Sequence, residues 1–501
     1  MSTAKKFAGQ TAIYGLSTVA ARSLNFLLTK LYVGVYPTKV YGIFTTMYSY
    51  ASLLNAVLAF GMETTFFRYL SKYEHDKERV YNNAFLAVAL ISFVFLAGSF
   101  LFINDISLWV MSGGLENYRD YVTYVKLFIC ILVVDALCIV PFAKVRANGR
   151  PGRYGIIKFL NILFFIGLNL LFIYTLPWVI KNHYFPSLHA EQWFRKGWIG
   201  YVFIANLMAS ALTFLMLLPE ISQFRFKFNR AMLTDMFSYS WPVLIANISF
   251  IINENLDKIV LGKLLPDDIS EQQVGIYGAC AKIAVFLSIF IQAFRLGAEP
   301  FFFSHAKNKN AGTTYARIMD YFVIAVCLIF VLLVANIELL KYFIKSKDPL
   351  ERELYWSGLR VVPLLLFGYV SLGIYMNLSV WYKLSDQTKY GLYISVVGAV
   401  VTVILNVIFI PKYSYMASAW ASLAAYATMM ILSYIWGQKN YPIPYNLKKN
   451  VAYIVSAVFI VYISFYVFNR NIFIGNGLLI AFASVALYFE WKNLKTIFVK
   501  S

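Results

Sequence analysis

The sequence predicts an all-α polytopic membrane protein of about fourteen transmembrane helices. They form two six-helix lobes, related by a pseudo-twofold axis along the membrane normal, plus two C-terminal helices. Three observations predict this. Of 501 residues, 60% are hydrophobic and only 14% are charged, which is too little charge for a soluble surface. Apolar runs of roughly 20 residues, the length that crosses a bilayer, recur between charged or Pro/Gly-containing breaks. Short motifs also return in the second half at a nearly constant offset.

Read in order, the runs place spans near 11–33, 40–60, 81–103, 121–140, 154–176 and 198–218, then near 238–260, 275–298, 315–343, 361–382, 390–410 and 415–436. Two more follow near 450–468 and 472–490. The 238–260 run is the least apolar, because it holds Asn247, Asn253, Glu254, Asn255 and Asp257. Dividing the chain by this pattern gives an N-terminal lobe over 1–225, a C-terminal lobe over 226–440 and the two additional helices over 441–501. The connections are too short for a large extramembrane catalytic domain.

The formal charge is +20, from 44 Lys and Arg against 24 Asp and Glu. Basic residues beside membrane segments orient those segments, so the excess does not point to nucleic acid. An even number of spans puts both termini on one side. Connections on that side, with the two tails, carry 25 of the cations against 16 opposite, with Lys158 counted among the 25. The positive-inside rule then makes both termini cytoplasmic.

Gly61-Met62-Glu63-Thr64-Thr65-Phe66-Phe67 and Gly297-Ala298-Glu299-Pro300-Phe301-Phe302-Phe303 share G-x-E-x-x-F-F at an offset of 236. Gly42-Ile43-Phe44 matches Gly275-Ile276-Tyr277, and Lys30-Leu31-Tyr32-Val33-Gly34 resembles Lys258-Ile259-Val260-Leu261-Gly262, at offsets of 233 and 228. The matches are collinear, which argues for a duplicated six-helix unit with both copies in one membrane orientation.

Cys130, Cys138, Cys280 and Cys327 all lie inside apolar runs and read as core thiols. His75, His183, His189 and His305 are scattered, so no metal centre is expected. The first apolar stretch is long, carries Arg22 and lacks a small-residue cleavage site, so it reads as a span and not a signal peptide. No Walker loop, zinc signature or nucleophile elbow is present, and no cofactor is implied.

Trp241-Pro242, Asn255-Leu256-Asp257-Lys258-Ile259, Val274-Gly275-Ile276-Tyr277-Gly278, Ala281-Lys282-Ile283-Ala284 and Gln292 through Phe301 resemble bacterial oligosaccharide flippases of the multidrug/oligosaccharidyl-lipid/polysaccharide (MOP) exporter superfamily. The Gly61–Tyr69 stretch is similar to that family's end of helix 2. The resemblance implies alternating access and movement of an undecaprenyl-pyrophosphate-linked glycan from the inner to the outer leaflet. It identifies the family well and the substrate poorly.

A central Arg in a span is disfavoured by roughly 2.5–3.5 kcal/mol on insertion scales, so Arg22 should face protein or water. It reads as a cavity cation that grips a pyrophosphate, in line with the family's cationic cavity near helix 1, or as a structural partner of Asp135. Asp135 is a counter-ion or an ion-coupling site. Gln292, Arg295 and Glu299 share a face of span 8 by their i, i+3, i+7 spacing. Arg295 lies toward the cytoplasmic end, while Lys282, further out, is the better candidate for a central cavity between the lobes. Glu254 and Lys258 are one turn apart and read as a surface ion pair. Glu254 or Asp257 could otherwise bind Na⁺ or H⁺. Glu63, Arg68 and the loop cations Arg146, Arg150 and Arg153 read as helix-orienting contacts at an anionic leaflet, with Arg68 adjoining the repeated motif.

The leading functional expectation is therefore a flippase for a lipid-linked oligosaccharide in O-antigen, capsule or exopolysaccharide assembly. Its partners would be the lipid-linked substrate, membrane lipids, a coupling cation and the pathway's glycosyltransferases or polymerase. A lipid II flippase shares the cationic cavity, so charge does not separate the two. A cation-coupled drug or metabolite antiporter would favour an acidic cavity, against Arg22, Lys282 and Arg295 here. A membrane glycosyltransferase or polysaccharide polymerase would need convergent acid and base groups that the short outer connections do not provide.

Overall fold

The computed structural model describes residues 26–112, 118–183, 194–306, 308, 310–385 and 387–498. Apolar segments in a bilayer must satisfy every backbone N–H and C=O internally, which favours helices. Among the described residues all regular structure is helical. Among the described residues, twelve helices are long and apolar enough to cross a membrane. They are α2 (Thr38–Lys72), α3 (Lys77–Leu101), α4 (Tyr118–Ala147), α5 (Pro151–Lys181), α7 (Arg230–Leu264), α8 (Asp267–Phe303), α9 (Ala311–Ala335), α10 (Pro349–Leu384), α11 (Lys389–Tyr413), α12 (Tyr415–Asn440), α13 (Leu447–Val467) and α14 (Ile472–Trp491). Two shorter apolar helices, α1 (Phe26–Val35) and α6 (Gly200–Met216), stand at expected spans 1 and 6.

The chain divides into two compact units, Met1–Gly278 with Asn406–Ser414, and Ala279–Leu405 with Tyr415–Ser501. Both α8 and α11 pass from one unit into the other. This division differs from the one that the sequence repeat suggests, since α7 and the first turns of α8 belong to the first unit.

In the first unit α6 packs on α4 and α5, α3 packs on α4, and α7 runs along α2. The partners of α7 explain how a polar segment enters a membrane fold. Asn253 and Asp257 are buried, Tyr277 donates to Asp257 Oδ2 (2.5 Å), and Asn255 donates to Ser52 Oγ (3.3 Å). Asn253, Asn255 and Asp257 are thus used inside the protein, where they escape the cost of facing lipid, whereas Asn247 and Glu254 are exposed. Small residues bring α2 and α8 together. A Cβ on Gly42 would sit 1.8 Å from the Glu271 carbonyl oxygen, and one on Gly275 would sit 1.9 Å from that of Thr38. Beside this contact the Glu271 carboxylate is buried, accepting from Tyr121 (2.6 Å) with Lys39 at 3.8 Å. Within α2, Phe60 and Gly61 adopt positive φ and break the helix just before the repeated motif.

In the second unit α10 packs along α12, and α9 contacts α10, α13 and α14. Trp381 is fully buried, donating to Ser433 Oγ (3.3 Å). Lys449 of α13 fastens the last two helices, bridging to Glu490 of α14 (2.7 Å) and Asp320 of α9 (3.4 Å).

Candidate functional site

Each unit holds a cavity whose lining includes one copy of the repeated glutamate. In the first unit a cavity of about 410 Å³ is lined by residues of α2, α4, α5 and α6. Helical spacing assembles it. Lys158 and Asn161 lie i, i+3 on α5, and Asn206, Ser210 and Thr213 lie i, i+4, i+7 on α6, so each set presents one polar stripe. Asp135 of α4 accepts a hydrogen bond from Ser210. Asn161 Nδ2 donates to the Ala209 carbonyl and to Thr213 Oγ1, both at 2.9 Å, and Asn206 Nδ2 donates to the Tyr48 hydroxyl at 2.9 Å. Lys158 places its ammonium 4.4 Å from the Phe142 ring centroid. Glu63 forms an ion pair with Arg146, which lies over the Phe67 ring. The charged lining is therefore Asp135 and Glu63 against Lys158 and Arg146, with no net charge.

In the second unit a small cavity of about 20 Å³, room for about one water molecule, lies between α8, α9 and α10. Its polar lining is Arg295, Glu299, Asn377 and Lys383, among apolar neighbours such as Phe294 and Phe322. Lys383 bridges to Glu299 at 2.7 Å. The charged lining carries two cations and one anion.

The glutamates of G-x-E-x-x-F-F thus make equivalent bonds. Glu63 of α2 pairs with a cation of α4 and Glu299 of α8 with a cation of α10, at sequence separations of 83 and 84. The motif's first phenylalanines are equivalent too. Phe66 and Phe302 are both buried, and they meet Tyr81 and Tyr315 edge-on, with ring centroids 6.3 and 5.1 Å apart.

The structure corrects several sequence-based expectations. Lys258 does not pair with the Glu254 carboxylate. Its ammonium bridges to Asp257 Oδ1 and donates to the Glu254 backbone carbonyl, both at 2.8 Å, because buried Asp257 points inward within reach. Arg295 and Glu299 line one cavity as their spacing predicts, but Gln292 is absent from that lining. Glu63 and Arg146 face a cavity and each other, not only a leaflet. Arg68 stacks on Tyr239, 4.3 Å from its centroid, and Lys72 bridges to Asp235 at 2.8 Å. Asp135 has Lys158 as its charged neighbour. Arg22, its expected alternative partner, lies outside the described residues. Lys282 is not among the residues lining either cavity. Lys158 is the residue that sequence reasoning missed. Placed among connection cations, it stands inside α5, and Asn161 at i+3 was the available sign of a polar stripe. No group of three or more potential metal-ligating side chains occurs among the described residues.

Residues 7–304 match the model of the family described as polysaccharide biosynthesis protein, and residues 242–408 match the MatE model. The chain belongs to the polysaccharide biosynthesis protein family. An uncharacterized membrane protein of Methanocaldococcus jannaschii is 22% identical over 442 residues, spanning 84% of this chain and 82% of its own. Among solved structures, the lipid II flippase MurJ in an inward closed conformation superposes with a TM-score of 0.70 at 13% identity, over 95% of this chain and 99% of its own. An inward-facing MATE-family multidrug resistance transporter gives 0.62 at 14% identity, covering 84% and 94%. A MOP transporter from Pyrococcus furiosus, described as having a binding pocket of reverse polarity, gives 0.54 at 14% identity, covering 86% and 95%. The family match and the shared fold make this chain a multi-pass MOP superfamily flippase or transporter.

Proposed function

We propose that this chain moves an undecaprenyl-pyrophosphate-linked oligosaccharide across the inner membrane by alternating access, for surface polysaccharide assembly. One observation carries the choice of an anionic cargo, namely the lining of the second-unit cavity, which holds two cations, Arg295 and Lys383, and one anion, Glu299. A guanidinium offers a phosphate paired donors, so Arg295, together with Arg22 and Lys282, is assigned to the pyrophosphate. The cavity now admits about one water molecule, so contact with cargo requires it to widen during the cycle. The balanced cavity of the first unit serves coupling, with Asp135 as its carboxylate. Both termini are cytoplasmic in this proposal. In a variant lacking the native cysteines, single cysteines at Gly149 and Ser187 should label from the cytoplasm and from outside respectively.

The deciding experiment deletes the gene and complements it with variants, measuring cell-surface glycan alongside immunoblotted protein. Wild type should restore glycan. Arg22→Ala should accumulate normally yet fail to restore it, and Arg22→Lys should restore part. Full export by a well-expressed Arg22→Ala protein removes the cavity role of Arg22. Normal glycan with arrested peptidoglycan synthesis in the deletion would move the cargo to lipid II.

A further inference from the structure

We infer that Lys158 is a tethered substitute for a coupling cation at the first-unit cavity, so that this cavity takes up no sodium ion. The inference rests on the proposed coupling role of Asp135 and concerns the ion that role requires. Around Asp135 the cavity gathers the oxygen-rich set that a hard cation uses, with the hydroxyls of Ser210 and Thr213 and the amides of Asn55, Asn161 and Asn206. The amide nitrogens of Asn161 and Asn206 are committed as donors to neighbouring oxygens, which leaves their carbonyl oxygens as acceptors.

A carboxylate at this depth needs a compensating positive charge. The chain supplies one from the adjacent helix. Lys158 of α5 and Asp135 of α4 line the same cavity. The other two charges in the lining, Glu63 and Arg146, satisfy each other. With four charges already balanced, an entering sodium ion would meet an ammonium in the same cavity and leave it net positive. The packing of Lys158 against Phe142 holds the ammonium there. A free ion can leave during a transport cycle, whereas a tethered one can only move within the reach of its side chain.

The test uses the purified full-length chain, with thermal unfolding and radioactive sodium binding measured in sodium chloride and in choline chloride of equal ionic strength. The wild type should bind no sodium and unfold at the same temperature in both salts. Lys158→Met should bind sodium and gain about 2 °C or more in the sodium salt. The response should vanish in Lys158→Met with Asp135→Asn, and Lys158→Arg should remain insensitive. Sodium binding by the wild type that Asp135→Asn removes would overturn the inference, as would a folded Lys158→Met protein that ignores sodium. Should Lys158→Met fail to accumulate, its rescue by Asp135→Asn supports the tethered-cation role, and failure of the double variant assigns Lys158 to packing and overturns it. None of these readouts involves glycan, so a wrong cargo assignment and a wrong ion assignment fail separately.

Discussion

The two cavities share one plan and differ in what is added to it. Each contains a motif glutamate bridged to a cation two spans later, Glu63 with Arg146 and Glu299 with Lys383. To this bridge the first unit adds the opposed pair Asp135 and Lys158 and a stripe of amides and hydroxyls, in about 410 Å³. The second unit adds Arg295 and Asn377, in about 20 Å³ lined mostly by apolar side chains. The first chamber is lined by charges matched two against two, the second by two cations and one anion. The difference between the copies thus carries more functional information than their resemblance.

The largest effect should come from Arg295. Arg295→Ala should cut glycan export by about 10- to 100-fold, the worth of one charge-assisted phosphate contact, without changing immunoblotted protein. Arg295→Lys should fall between the two. Equal loss of export and abundance would instead make Arg295 a packing residue and erase the contrast between the cavities.

Next in size is a contrast between the motif glycines. Gly61 has φ of +66°, and a Cβ there would lie 2.9 Å from Val243 Cγ1, whereas Gly297 is helical with nothing within 4 Å of its Cβ position. Gly61→Ala should therefore destabilise by about 1–3 kcal/mol. Gly297→Ala should be neutral or slightly stabilising, since alanine favours the helix. Comparing the unfolding temperatures of the two variants tests whether the copies have diverged in backbone as well as in charge.

The smallest effect concerns the shared bridges, whose partners are partly exposed. Glu63→Gln should cost on the order of 1 kcal/mol or less, and the exchange Glu63→Arg with Arg146→Glu should recover most of it. The matching exchange at Glu299 and Lys383 should behave alike in stability but lower export further, because it repositions charge beside Arg295. Identical export profiles for the two exchanges would mean that the cavities do not differ in role.

Much of the fold was legible because a bilayer imposes length and apolarity on every span, and the runs near 81–103 and 390–410 could be little else. The polar run near 238–260 read as the weakest span, since Asn255 and Asp257 find their partners, Ser52 and Tyr277, only in three dimensions. The motif glutamates stood out by repetition, but Arg146 and Lys383 did not stand out as their partners, because pairing across two spans leaves no local spacing to see. Lys158 was obscured by its neighbours. It follows Arg150 and Arg153 closely enough to be counted with them, and its place in the cavity lining beside Asp135 and Asn161 separates it from them. The spacing of Gln292, Arg295 and Glu299 correctly joined the last two, while Gln292 shows that a shared helical face is wider than one cavity wall.

The close approach at Gly42 and Gly275 has a mechanical consequence. Where two helices meet through bare backbone, they lie closer than any side chain would allow, so the spacing of α2 and α8 is set at these two positions and depends on their staying bare. A single methyl on either glycine would jam against the carbonyl opposite.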